Sequence, residues 1–222
     1  SSFAFRFSSV FCKVNPVYFP YPRIRNMLPR FFKKNLLFQL LLFVIFALSL
    51  QSCNTPKPPS RPSGLEVGDK LLDFSLMDEN DRIFKLSDLD PGWYLAIVLY
   101  RGSYCNSCRT MLFNLKDNNS AFVAEHVAVA AISTDSIEDS AQFNSQWRFP
   151  FPLLSDPGLK LIDAFGARHT NGHGIYDIAH PAVIIIDPQK VIRYKKIAEN
   201  PDELPGPNEI LFLIKGFKDK AK

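Results

Sequence analysis

From Trp93 to Tyr100 the chain reads WYLAIVLY, from Val127 to Ser133 VAVAAIS, and from Ala182 to Ile186 AVIII. Unbroken apolar runs of this length predict strands buried on both faces. Asp73 to Met77 alternates and predicts a half-buried strand, with a turn at Glu79-Asn80-Asp81 and a short return strand over Ile83 to Lys85. Leu86 to Leu89 predicts one helical turn. After a loop at Arg101 to Tyr104, a helix is expected from about Cys105 to Asn118. Asp135, with Glu138 three residues on, is the expected N-cap of a helix reaching Trp147. Leu159 to Phe165 predicts a short helix stopped at Gly166, and Glu209 to Lys215 a last helix stopped at Gly216. Val191 to Ile197 predicts an edge strand in a hairpin with the 182–186 run. Buried strands alternating with helices, then a closing hairpin and helix, indicate a three-layer α/β sandwich.

The first fifty-two residues follow another pattern. Met27 is followed by Arg30, Lys33 and Lys34, then by the apolar run Leu36 to Leu50, then by Leu50-Gln51-Ser52-Cys53. A basic head, a short apolar stretch and small residues before a break describe a secretory signal over 27–52. Fifteen helical residues reach about 22 Å, short of the roughly 30 Å hydrocarbon core. The last four residues resemble the lipobox of bacterial lipoproteins, with Gln51 a departure from its small residue. That resemblance implies lipidation of Cys53 and an extracytoplasmic domain held at a membrane. Residues 1–26 are then expected to lie upstream of the true start. Residues 53–64, with four prolines in Asn54 to Gly64, predict an extended spacer. The folded domain is expected over 65–217, with 218–222 as a tail.

The net charge of +4 is misleading. Residues 1–52 hold seven bases and no acid, so the remainder is net −3. A mildly acidic body is a poor match for phosphate backbones, and no nucleic-acid partner is expected.

Candidate chemistry concentrates at Tyr100-Arg101-Gly102-Ser103-Tyr104-Cys105-Asn106-Ser107-Cys108-Arg109, where a buried strand ends and a helix begins. A Cys-x-x-Cys pair at such a junction indicates redox chemistry. The helix N-terminus favours thiolate over thiol, and Arg101 and Arg109 can add to that field. Two inert core cysteines, or half a zinc site completed by His169, His173 or His180, are the alternatives. Zinc requires four ligands, and no second cysteine pair exists. His169 and His173 fall in a Gly/Asn-rich stretch, Gly166 to Gly174, expected to be a solvated loop.

These residues, in order, resemble the alkyl hydroperoxide reductase/thiol-specific antioxidant family of peroxiredoxin-like proteins. Val67-Gly68-Asp69 with Asp73-Phe74-Ser75-Leu76, Ile132 to Ser136, Phe151 to Pro157, Ala164-Phe165-Gly166 and Pro181 to Pro188 match its landmarks. The resemblance covers about residues 65–200. It implies a thioredoxin-like sandwich, with a mixed central sheet and helices on both faces. It also implies a cis bond at Pro181 facing the active cysteine, with His180 beside the sulfurs. The implied activity is peroxide reduction through Cys105 and Cys108, with no cofactor and an external dithiol as reductant. The family's Pro-x-x-x-Thr-x-x-Cys signature is absent, so the order of attack stays open: Cys108 by peroxiredoxin register, Cys105 by thioredoxin logic. A disulfide reductase acting on proteins and a copper carrier using Cys105, Cys108 and His180 are the rival readings.

Overall fold

The computed structural model describes residues 64–220. The expected leader, Cys53 and nearly all of the spacer lie outside the described residues, as do residues 221 and 222.

The apolar runs form the middle of the sheet. β3 (Tyr94–Leu99) and β4 (Val127–Ser133) pair in parallel, and β8 (Ala182–Ile186) runs antiparallel along the other side of β3. β1 (Ser75–Asp78), β2 (Ile83–Lys85), β5 (Leu153–Ser155) and β9 (Ile192–Ile197) complete seven strands in the order β2-β1-β5-β4-β3-β8-β9. The sheet is mixed, because β5 joins β4 in parallel while β1, β2 and β9 pair antiparallel with their neighbours.

Alternation along β3 divides the core. Tyr94, Ala96 and Val98, with Tyr100 beyond the strand, face a cluster shared with Leu112, Leu115, Phe122, Phe143, Ile210 and Ile214. Those side chains come from α1 (Asn106–Asp117), α2 (Asn119–Ala124), α3 (Ile137–Trp147) and α5 (Pro207–Lys220). Leu95, Ile97 and Leu99 face the opposite cluster, built with Leu161 and Ile162 of α4 (Lys160–Ala164) and with Phe165. Both faces therefore carry helix, as a three-layer sandwich requires, although among the described residues α4 is the one α-helix that contributes to the second cluster. Burying both faces is the dominant stabilising term, at roughly 1.5–3 kcal/mol for each large apolar side chain.

Four expectations need correction. Ser136, not Asp135, caps α3, since Ser136 Oγ accepts the Asp139 N–H at 3.1 Å. The final helix runs through Gly216 to Lys220, leaving no tail from residue 218 within the described part. A helical glycine costs about 1 kcal/mol, and tertiary contact beyond it offsets that. Lys218 Nζ bonds to the Glu125 carbonyl and lies 5.8 Å from the Tyr94 ring centroid. The 166–174 stretch is no plain loop: β6 (Arg168–His173) and β7 (Tyr176–Ala179) pair as a separate two-stranded ribbon. Lastly, no peptide bond among the described residues is cis, Pro181 included. The extended chain there is already satisfied, because His180 N–H donates to the Ala167 carbonyl and the Pro181 carbonyl accepts from Ala198 N–H. A trans proline just ahead of a strand has no N–H to leave unpaired.

Candidate active site

Cys105 ends the loop after β3 and is the N-cap of α1. Its extended backbone turns Sγ back over the helix, where it accepts the Cys108 N–H at 3.3 Å. Ser107 Oγ lies 3.5 Å from the same sulfur. The two cysteines are joined as a disulfide, with Cα atoms 5.2 Å apart. Cys108 is fully buried, whereas Cys105 keeps 9% of its surface. The difference follows from helical spacing: Cys108, Leu112 and Leu115 form the buried stripe of α1, and Cys105 stands at its open end. When reduced, a sulfur at this N-cap faces N–H groups that have no helical partner, which favours the thiolate.

The loop before Cys105 is tightly wound. Cys105 N–H donates to the Gly102 carbonyl at 3.1 Å. Gly102 has φ +147°, and a Cβ there would fall 2.5 Å from the Tyr104 ring and 2.7 Å from Asp135 Oδ1. Ser103 N–H donates to Asp135 Oδ2 at 2.7 Å. Burial raises the Asp135 carboxyl above the usual range, partly offset by the Ser103 hydrogen bonds. Burial also raises the Tyr100 phenol, with the charge of Asp135 adding to the effect.

The other expected residues separate into two groups. Arg109 on α1 bonds to Asn106 Oδ1. It lines a groove of about 230 Å³ with Ser103, Tyr104, Asp139 and Gln142. Arg101 Nη2 donates to the Glu199 carbonyl at 2.5 Å, and His180 Nδ1 lies 3.5 Å from Glu199 Oε2. His180 is buried and stacks on His169, with ring centroids 4.2 Å apart and planes 9° apart. Pro181 serves as the trans lead into β8. Cys105 and Cys108 thus meet directly, while Arg101 and His180 meet at Glu199.

Sequence reasoning missed three contributors. Asp135 carried a signal, but as a helix cap. His169 and His173 stand out in the sequence only as possible zinc ligands in a loop, because β6, which carries both, has no apolar alternation. Both ends of the ribbon touch the site region, through the His169 stack on His180 and a stack of His173 on Tyr104 at 4.1 Å. Among the described residues, no three His, Cys, Asp or Glu side chains converge as a metal site would require.

Comparison with known proteins gives a family match and a fold match. Residues 67–195 match the model of the AhpC/TSA family. Peroxiredoxin bcp1 of Schizosaccharomyces pombe is 29% identical over 120 residues, covering 54% of this chain and 62% of that protein. Peroxiredoxin Bcp of Bacillus subtilis is 30% identical over 101 residues, covering 46% of this chain and 64% of that protein. The chain thus spans just under two thirds of the length of these relatives. Among solved structures, peroxidoxin BcpB from Mycobacterium tuberculosis superposes with a TM-score of 0.61 at 22% identity, covering 68% of this chain and 97% of that one. A Xylella fastidiosa PrxQ mutant gives 0.61 at 21% identity, covering 72% and 99%. These last two likenesses establish the thioredoxin-like peroxiredoxin fold.

Proposed function

The chain belongs to the AhpC/TSA family, and from that premise we propose that it is a thiol peroxidase working through Cys105 and Cys108. The observation that carries this reading is the asymmetry of the pair. One sulfur is an N-cap acceptor that keeps 9% of its residue's surface open, and its partner is fully buried one helical turn on. This arrangement supports Cys105 as the attacking sulfur.

The steps follow from that placement. The Cys105 thiolate attacks one peroxide oxygen and the O–O bond breaks. The departing oxygen takes a proton and leaves as water or alcohol, and Cys105 becomes a sulfenic acid. Cys108 Sγ, deprotonated, then attacks Cys105 Sγ, and the sulfenic oxygen leaves as water. The product is the Cys105–Cys108 disulfide, the state that this structure holds. An external dithiol returns the two electrons by thiol–disulfide exchange, attacking the more exposed Cys105. Stopped-flow oxidation of the reduced full chain by hydrogen peroxide tests the proposal. Each equivalent of peroxide should oxidise one pair, with Cys105 sulfenate preceding the disulfide by mass spectrometry. Absence of peroxide-dependent oxidation at either sulfur overturns it.

The same pair also suits exchange with protein disulfides, because the attacking and resolving sulfurs are neighbours. Faster turnover of a protein disulfide than of any peroxide would select that second reading. The copper-carrier reading gains no support from the described side chains.

For the location, we propose a lipoprotein anchored through Cys53, with the domain outside the cytoplasm. Support comes from the basic head, apolar run and Leu50-Gln51-Ser52-Cys53 of the sequence. A diacylated cysteine supplies the two chains that stable anchoring needs. No helix among the described residues is long and apolar enough to cross a membrane. Cys53→Ala should yield an uncleaved or soluble form, and an unlipidated wild-type Cys53 overturns the anchor.

A further inference from the structure

We infer that Asp135 is a positioning residue for Cys105, acting through the backbone of Ser103. The inference rests on Cys105 being the attacking sulfur, and its test does not depend on the oxidant. Asp135 lies just past the end of β4, against the loop that leads into α1. Its own backbone is clamped by two serines set at strand ends. Asp135 N–H donates to Ser133 Oγ at 3.1 Å, and the Asp135 carbonyl accepts from Ser155 Oγ at 2.5 Å. Both serines are buried, where a hydroxyl without a partner is costly. Their contacts with Asp135 explain polar residues at the ends of otherwise apolar strands.

From this fixed point a chain of contacts runs to the sulfur. Asp135 Oδ2 holds Ser103 N–H, while Oδ1 fills the space that a side chain at residue 102 would need. Gly102 therefore lies flat against the carboxylate, and its carbonyl accepts the Cys105 N–H. Cys105 in turn presents Sγ to the Cys108 N–H. Ser136 takes over the capping of α3, which leaves the Asp135 carboxylate free for the loop. The consequence is specific: without an acceptor at residue 135, the 102–104 turn loosens and the Cys105 sulfur loses its seat at the helix N-terminus.

Two substitutions in the reduced full chain separate seating from charge. Asp135→Ala removes both the charge and the acceptor, whereas Asp135→Asn removes the charge and keeps a carbonyl oxygen. The readouts are thiolate absorbance against pH and alkylation of Cys105 by iodoacetamide at neutral pH. Asp135→Ala should raise the thiolate midpoint and slow alkylation about ten-fold, the change that one pKa unit brings. Asp135→Asn should stay within about two-fold of wild type or react faster, since a nearby negative charge disfavours thiolate. If both variants lower the midpoint equally, Asp135 is only a nearby charge and the inference is overturned. Equal slowing in both overturns it too. Hydrogen exchange of the wild-type Ser103 amide tests the seat without any substitution. Protection of about a hundred-fold or more is expected for a formed hydrogen bond, and free exchange refutes the seat. Alkylation and exchange need no peroxide, so a failed peroxidase assay leaves this test intact.

Discussion

The Tyr104 ring stacks on His173 with centroids 4.1 Å apart and planes 25° apart, which joins the residue before Cys105 to the tip of the β6–β7 ribbon. The same ribbon is held at its base by Arg168, which reaches Asp163 on α4 and Asp177 on β7. It is therefore a strap with a stiff base and a lighter, aromatic contact at the tip. His173→Ala should cost about 0.5–1.5 kcal/mol at most, the range for an aromatic pair, because both rings remain partly in water. Amide exchange should quicken in residues 170–177 and stay unchanged in β3. Equal quickening in both would show that the ribbon and the sheet open as one unit.

Cysteine replacement separates the two sulfurs. Cys105→Ser should lower peroxide consumption by roughly 10³ or more, as loss of a nucleophile does. Cys108→Ser should still consume one equivalent and stop at a Cys105 sulfenic acid that a dimedone probe captures. Labelling on Cys108 of the Cys105→Ser variant, with activity retained, would reverse the assignment.

What was legible in the sequence tracks burial. β3, β4 and β8 were readable because their apolar runs admit few alternatives, and the Cys-x-x-Cys position followed from the strand before it. The ribbon was not readable, because Arg168 to His173 contains no apolar residue and is held by ion pairs and ring stacking. β5 was not read as a strand, since three residues between prolines and an aspartate carry too little pattern. Gly216 misled because local propensity favours a stop there, while Lys218 makes its contacts one turn further along. The cis bond at Pro181 was an expectation from family resemblance alone, and no local feature of the sequence required it. Asp135 was read for its commonest local role, and its contact with Ser103 depends on a loop thirty-two residues away.

Acid should loosen the ribbon before the sheet. The Asn171 N–H, and then Arg168, hold the Asp177 carboxyl below its ordinary range. A depressed folded pKa means stabilisation that is present above the unfolded value, about 3.9, and lost as pH falls through the folded one. Chemical shifts of residues 168–179 should therefore move toward unstructured values below about pH 4, while those of β3 and β4 hold. Asp177→Asn should flatten that dependence. A ribbon that titrates identically in the variant would show that Asp177 is not the group responsible.

Asp135 should behave in the opposite sense. Burial is the largest influence on its carboxyl and raises it, with Asp139 pushing the same way and the Ser103 hydrogen bonds opposing. A raised folded pKa means that the stabilisation is complete below the unfolded value and is lost as pH rises through the folded one. Asp135→Asn carries no such titration and keeps an acceptor for Ser103. The variant should therefore gain on wild type as pH rises from about 3 to 7, spanning the unfolded Asp value. Urea unfolding of both proteins at pH 4, 5.5 and 7, with cysteines oxidised throughout, measures the gap. A gap that narrows with rising pH would mean that hydrogen bonds from Ser103 outweigh burial at this carboxylate. Asp135 would then stabilise the fold as an anion while it seats the Cys105 loop.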